Sequence, residues 1–139
     1  HDPGDALLLI EEIPPDAVEI IGRMEKAHLW LVDETDGVIG GYAYGTPWRS
    51  RHAYRFTVET TVYVAAEHHG QGIGRRLYEE LLEQLGALGF VTAVAGITLP
   101  NDQSVEFHRA LGFAYVGTYP KGGNKFDTWY DTGWMSREL

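Results

Sequence analysis

The chain has 139 residues and no cysteine, and its 20 Asp and Glu outnumber its 11 Lys and Arg to give a net charge of −9. This length suits one domain, and 44% hydrophobic with 22% charged residues is typical of a globular protein rather than a disordered chain. The composition excludes disulfides, thiolate metal ligands and an acyl-cysteine intermediate, and its acidity argues against general nucleic-acid binding.

The N-terminal residues are only weakly patterned. Pro14-Pro15-Asp16 before scattered apolar residues predicts a short helix with Asp16 near its start. Because the chain opens on His1 rather than Met, we expect a segment to precede it. No apolar run is long enough to cross a membrane and no secretion signal is visible, so we expect a cytoplasmic location.

The next elements read as strands and then a helix. Apolar runs at 29–32 and 38–44 flank Asp36-Gly37, which is typical of a hairpin turn. Residues 54–64 alternate as a strand, with Phe56, Val58, Thr60, Val62 and Val64 on one face. After glycine-rich residues 70–74, a helical period begins at Arg75 and ends near 86–89.

The C-terminal half continues this pattern. Residues 91–99 form an uncharged, β-branched run typical of a buried strand, and Asn101 can cap a helix that ends at Gly112-Phe113. Two last strands, at 115–120 and 126–135, are predicted to meet across a turn at 121–124. The order β-β-β-α-β-α-β-β predicts one α/β domain with a mixed sheet, antiparallel at first and crossing over at each helix.

The glycine-rich run, with Gly70, Gly72 and Gly74, lies between a strand and a helix. Glycines let the backbone approach a ligand closely, and the free N–H groups of a helix start attract anions, so the run predicts a phosphate or pyrophosphate site. Arg75 and Arg76 at the helix start point the same way, because the helix dipole disfavours cations there. The sequence contains no Gly-Lys pair, which an ATP-binding P-loop requires, and Arg75 stands where a dinucleotide fingerprint needs a small residue. ATP and NAD are therefore poorly supported as ligands. The alternative is a turn with incidental glycines.

Several motifs carry a family resemblance that extends from about residue 15 to the end. They are Arg51-x-Ala53-Tyr54, Thr57-x-Glu59, Val62-Tyr63-Val64, His69-x-x-Gly72-x-Gly74, the run from Pro100-Asn101-Asp102 through His108 to Gly112-Phe113, and Trp129-x-Asp131-x-Gly133. Together they resemble the phosphinothricin and methionine sulfoximine N-acetyltransferase subfamily of the GNAT superfamily. His69 is a departure, because the family motif begins with Gln or Arg.

The resemblance implies a GNAT-like α/β fold, in which a mixed, mostly antiparallel central sheet is flanked by helices. Residues 1–139 would form a single acyl-CoA N-acyltransferase domain whose first strand and helix are missing. It further implies acetyl-CoA as co-substrate, no metal and a homodimer. The adjacent His68 and His69 could not converge on one metal ion.

The resemblance also assigns site residues. Those that would bind the cofactor are Val62, Tyr63, Val64, Gly70, Gln71, Gly72, Ile73, Gly74, Arg75 and Asn101. Asn101 is equally explained as a helix cap. A backbone N–H at 62–64 would hold the thioester oxygen.

By the same resemblance, Glu59 is the general base and His108 the general acid, although these two roles could be exchanged. A base is needed because a free amine is largely protonated at neutral pH, and a His near neutrality could protonate the thiolate. The alternatives are an edge-strand surface glutamate and a structural histidine.

Residues predicted to bind the acceptor are Arg51, Tyr54 and Lys125, of which the two cations could pair with an acidic group or be solvated surface charge. Phe126 and Tyr130 stand where the subfamily often has His, so we expect an altered pocket. Trp48, Trp129 and Trp134 are predicted for the core or a subunit interface.

The sequence thus predicts direct acetyl transfer from acetyl-CoA to the amine of a small amino-acid-like compound. The alternatives are a peptide or other amine as acceptor, or a non-catalytic module that senses acyl-CoA.

Overall fold

The structure is a computed structural model, and it describes residues 27–68 and 70–139. The strands are β1 (Leu29–Thr35), β2 (Val38–Pro47), β3 (Thr57–Val64), β4 (Thr92–Thr98), β5 (Ala114–Lys125) and β6 (Thr128–Glu138), and the helices are α1 (Ile73–Ala87) and α2 (Asp102–Ala110). The helix predicted near Asp16, and His69, lie outside the described residues.

The six strands form one sheet in the order β1-β2-β3-β4-β6-β5. Neighbouring strands are antiparallel except β3 and β4, which are parallel and joined by α1. Helix α2 leads from β4 to the edge strand β5, and β6 returns between them. The predicted mixed, mostly antiparallel sheet is therefore confirmed.

The core lies between the sheet and the two helices. Alternate residues of β3 are buried, beginning with Val58 and ending with Val64, and they pack against Leu77 and Leu81 of α1. The predicted alternation of β3 is confirmed over these residues. Gly41 on β2 allows β2 and β3 to lie close together at this point, because a Cβ there would lie only 2.6 Å from the Tyr63 carbonyl oxygen.

The β1–β2 hairpin also forms as predicted. Asp36 and Gly37 have φ angles of +52° and +79°, which are the left-handed values that a two-residue hairpin turn requires. Helix α1 begins at Ile73, two residues before the predicted start, because the helix is capped directly by Gly72.

The start of β3 differs from the prediction. The strand begins at Thr57 rather than at residue 54, because residues His52–Tyr54 form a 3₁₀ turn. Local hydrogen bonds, including Arg55 N–H to the His52 carbonyl at 3.2 Å, hold that turn. Phe56 consequently lies before the strand and is half exposed rather than buried.

The turn of the last hairpin was also predicted wrongly. Strands β5 and β6 turn at Phe126-Asp127, whose φ angles are +50° and +59°, and not at 121–124. Gly122-Gly123 instead belongs to an irregularity between Tyr119 and Gly123, where the Lys121 N–H donates to Asp131 Oδ1 at 3.0 Å. The glycines bend the strand without ending it, so the hairpin is longer than expected.

Candidate active site

Strands β3 and β4 separate soon after they meet. They pair over only three residues each, and the last pair is Glu59 with Val94. Beyond it β3 stays paired with β2 as far as Val64, while β4 stays paired with β6 as far as Thr98. We call the resulting gap, between residues 60–64 and 95–98, the split. Since alternate strand residues direct their N–H and C=O groups to opposite sides, backbone polar groups of both strands face the split.

A cavity of about 250 Å³ borders the split on the sheet face opposite α1 and α2. We call it the Glu59 cavity. Its walls are Glu59 of β3, Gly96 and Thr98 of β4, and the hairpin residues Gly122, Gly123, Asn124, Lys125, Tyr130, Thr132 and Trp134. It is smaller than typical drug-binding pockets, which are about 300–1,000 Å³, so it suits a small ligand.

The Trp134 ring forms part of this wall and was not predicted to do so. A Cβ on Gly96 would lie only 3.0 Å from the ring, so the glycine lets the indole lie closely over β4. The sequence assigned Trp134 to the core or a subunit interface, because a strand tryptophan alone does not reveal which face it occupies.

Glu59 is a half-buried carboxylate with a perturbed pKa. Burial raises its pKa above the ordinary value of 4.5, and the nearby positive charge of Arg49 partly opposes that rise. Arg49 itself lies over the Trp48 ring, 4.3 Å from its centroid. Arg49 was not predicted as a site residue. Strand register brings it here, because Thr46 pairs with Glu59 and the residues just after β2 therefore pass close to the carboxylate.

His108 lies on the other face of the sheet, in a buried chain of hydrogen bonds. Thr60 Oγ1 is 2.6 Å from Tyr78 Oη, which is 3.2 Å from His108 Nε2. His108 Nδ1 donates to the Ser104 carbonyl at 2.8 Å, and the ring packs edge-on against Phe107 and Phe113. The structure therefore does not bring Glu59 and His108 into contact.

Burial also decides the charge of this chain. It lowers the pKa of His108 to about 4, although the bond to Ser104 acts in the opposite direction, so the ring is neutral at pH 7. Burial likewise raises the pKa of the Tyr78 hydroxyl, which keeps it protonated.

The glycine-rich run has the backbone geometry of an anion site. Gly70 and Gly72 have φ angles of +82° and +72°, and Gly72 caps α1 in the left-handed conformation with no acidic residue in the first turn. The first N–H groups of the helix, which belong to Ile73, Gly74 and Arg75, have no acceptor within it.

The two arginines of α1 each have a partner within the chain. Arg75 donates to Glu79 at 2.6 Å, and Arg76 donates to the Gln71 carbonyl at 2.9 Å. A second cavity, of about 330 Å³, lies beside them with Asp33, His68 and Gln71 in its wall. Both guanidinium groups are therefore already engaged within the chain, whereas the first backbone N–H groups of α1 are not used by the helix.

The remaining predicted residues are distributed as follows. Val62, Tyr63 and Val64 lie on the β3 side of the split, and Lys125 lies in the wall of the Glu59 cavity. Asn101 caps α2 by accepting the Ser104 N–H at 3.1 Å, which confirms its predicted capping role. Arg51 precedes the 3₁₀ turn and Tyr54 ends it, and both are exposed and outside the residues that line the cavity.

The described residues contain neither a metal-binding cluster nor a membrane-spanning helix. Within 27–68 and 70–139, no three His, Asp or Glu side chains are grouped so that they could hold a metal ion. No helix in the same ranges has the length and apolar character needed to cross a membrane.

Comparison with known proteins decides the family. Residues 7–113 match the acetyltransferase (GNAT) family. The chain belongs to this family. A GNAT superfamily phosphinothricin acetyltransferase from Sinorhizobium meliloti, solved in complex with acetyl-CoA, superposes with a TM-score of 0.84 and 37% identity, covering 96% of this chain and 75% of that one. The fold and the resemblance expected from the sequence are therefore both confirmed.

Two relatives indicate which members of the GNAT family this chain is similar to. A phosphinothricin N-acetyltransferase of Streptomyces viridochromogenes is 42% identical over 92% of this chain and 70% of its own length. An L-methionine sulfoximine/L-methionine sulfone acetyltransferase of Salmonella typhimurium is 40% identical over 78% of this chain and 64% of its own length. The chain thus spans about two thirds of the length of these relatives.

Burial of neutral His108 predicts a specific pH dependence of stability. Because its pKa is lower in the folded state than the 6.5 of an unfolded chain, its contribution is fully present above pH 6.5 and is lost as the pH falls towards 4. The loss is about 3 kcal/mol, since one pKa unit is worth about 1.4 kcal/mol. We expect wild type to lose that much more stability than His108→Gln between pH 7 and pH 4, measured by urea unfolding. Parallel pH profiles for the two proteins would contradict the assignment.

Proposed function

We propose that this GNAT protein is an N-acetyltransferase that moves acetyl from acetyl-CoA to the amine of a small amino-acid-like acceptor. The observation that carries the proposal is a carboxylate of raised pKa, Glu59, in the wall of a small cavity that borders the split. The cavity can hold an amine beside a base, and the split can hold a thioester beside both.

The glycine-rich run and the split fit acetyl-CoA in different ways. The first N–H groups of α1 and the left-handed glycines suit the pyrophosphate, and no acidic side chain of the first turn opposes it. The backbone groups that face the split suit the amide-bearing pantetheine arm, because they can bond it as a further strand would. Asn101, at the start of α2, is the additional contact that the resemblance assigns.

The reaction then needs two proton transfers around one acyl transfer. Glu59 accepts a proton from the acceptor's ammonium group, and the neutral amine attacks the thioester carbonyl. The C–N bond forms, the C–S bond breaks, the nitrogen loses its second proton and the thiolate gains one. A raised pKa suits Glu59 to this task because it makes the carboxylate a stronger base. Transfer is direct, since the chain has no cysteine to carry the acetyl group.

Several features support a small acidic acceptor. The cavity has little room beyond an amino acid, and Lys125 brings positive charge to its wall. The relatives described above are named for phosphinothricin and for methionine sulfoximine, both amino-acid-like compounds. Arg51 and Tyr54 are further acceptor candidates from the resemblance.

Two properties of the whole protein complete the proposal. Homodimer formation is expected by family analogy, and exposed Val116, Tyr119, Phe126 and Trp129 on the β5–β6 hairpin offer an apolar surface for it. A cytoplasmic location follows the expectation from the sequence.

The first test uses Glu59→Gln, which keeps the shape of the side chain and removes the base. Thiol release from acetyl-CoA is measured with methionine sulfoximine, phosphinothricin, an alanine-terminated peptide and other amines. We expect wild type to prefer the amino-acid-like compounds and the variant to lose about 100-fold or more in kcat, with little change in the KM for acetyl-CoA.

The unfolding temperature of Glu59→Gln shows whether the loss of kcat comes from the missing base or from misfolding. A charged group with a raised pKa destabilises the folded state above that pKa, so Glu59→Gln should unfold at the same or a higher temperature at pH 7. An unaltered kcat would remove Glu59 from the mechanism. Binding of acetyl-CoA without turnover on any amine would favour a non-catalytic module that senses acyl-CoA. A preference for the peptide would favour a peptide acetyltransferase.

The second test concerns the charge of Lys125. We expect Lys125→Met to raise the KM for an acidic acceptor by about tenfold, which is the effect of losing roughly 1.4 kcal/mol of binding, and to leave the KM for acetyl-CoA unchanged. Lys121→Met is the matched control, because Lys121 is exposed on the same strand and does not line the cavity. Equal KM values for the two variants would argue that Lys125 does not contact the acceptor.

A further inference from the structure

The Tyr78 hydroxyl lies between the two groups that connect β3 with α2. It is 2.6 Å from Thr60 Oγ1 and 3.2 Å from His108 Nε2, and both Tyr78 and His108 are almost completely buried. The ring of Tyr78 also packs against Phe113, so its position is fixed by the core. No charged side chain intervenes in this chain of hydrogen bonds.

The direction of the protons follows from the last bond. The Ser104 carbonyl can only accept, so His108 Nδ1 carries the hydrogen and Nε2 of the neutral ring holds the lone pair. Nε2 therefore accepts the Tyr78 proton. The Tyr78 oxygen, at 2.6 Å, accepts the single Thr60 hydroxyl proton in preference to the Val94 carbonyl, which lies farther away at 3.4 Å. The basic nitrogen of His108 is occupied by Tyr78, so a substrate cannot bond to it directly.

The other end of the chain lies at the split. Thr60 is the first residue of β3 after the last pair with β4, and its Oγ1 is 3.4 Å from the carbonyl of Val94, the last paired residue of β4. Because side chains alternate along a strand, Thr60 and Glu59 approach the split from opposite faces of the sheet.

We propose that Tyr78 is a positioning residue that connects His108 to the split, so that His108 takes part in acetyl transfer only through the Tyr78 and Thr60 hydroxyls. The inference rests on the proposed function. In this inference, Glu59 takes the first proton from the acceptor's ammonium group. The hydrogen-bonded series of Thr60, Tyr78 and His108 takes the second proton from the nitrogen and supplies the proton that the thiolate gains.

The proton movements balance without any further reactant. As the nitrogen loses its proton to Thr60 Oγ1, the original Thr60 proton moves to Tyr78 Oη and the Tyr78 proton moves to His108 Nε2. The reverse sequence gives a proton to the thiolate as the C–S bond breaks, and His108 returns to its neutral form. Because burial lowers the pKa of His108, its protonated ring gives the proton back readily and is occupied only briefly.

The test compares the kinetics of Tyr78→Phe, Thr60→Val and His108→Gln, singly and in pairs. Each substitution nearly preserves the volume of the side chain and interrupts the same path. We expect each single variant to lose about 100-fold in kcat with a KM for acetyl-CoA within about twofold of wild type. Pairs should lose no more than the more damaged single variant, since groups that act as a unit are not additive.

Tyr115→Phe is the matched control. It also removes a tyrosine hydroxyl with a threonine partner, Thr118 at 2.5 Å, but that bond is exposed on β5 and not part of the buried chain. Its kcat should equal that of wild type. Thr60→Val carries the test if Tyr78→Phe fails to fold.

Three outcomes would overturn the inference: an unchanged kcat in Tyr78→Phe or in Thr60→Val, losses that multiply in the pairs, or a His108 ring that carries its proton on Nε2 in nitrogen NMR spectra of wild type. The NMR measurement does not require enzymatic activity, so it tests the hydrogen-bond directions from Thr60 to His108 even if no amine is acetylated. Wild type that fails with every amine would instead defeat the proposed function.

Discussion

The separation of β3 and β4 after three paired residues is the constraint on which the site depends. Parallel strands normally stay paired, but here each is held by its other neighbour, β3 by β2 and β4 by β6. The sheet can therefore open between β3 and β4 while each strand keeps its hydrogen bonds to its other neighbour. Glu59 is the last paired residue and Thr60 the first unpaired one, and the alternation of side chains sends them to opposite faces at one point.

The two faces of the split have different electrostatic character. On one face, Glu59 lies in an open cavity with Arg49 and Lys125 near it, so that its carboxylate can exchange a proton with solvent. On the other, Thr60, Tyr78 and His108 are buried and neutral, and every proton in their chain has an acceptor. Burial that would be costly for a charge is tolerable for a satisfied neutral chain.

Much of the fold could be predicted from local sequence signals. Asp36-Gly37 specified the first hairpin and Asn101 capped α2, because both depend on the backbone preferences of a few residues. The last turn was misplaced because Gly122-Gly123 serves equally well in an irregularity as in a turn. The sequence marked Glu59 as a candidate general base, but it did not reveal which face of the sheet Glu59 occupies, the cavity it lines or the nearby Arg49.

The split itself could not be predicted, because it depends on which strands are neighbours rather than on any one segment. The most direct test follows backbone amide NMR signals during titration with acetyl-CoA. We expect saturable shifts in residues 60–64, 95–98 and 70–75, with little change in β1. A subsequent acidic amino-acid analogue should shift residues around Glu59. Shifts confined to β1 and the cavity beside Asp33, or no saturable shift at all, would contradict this account.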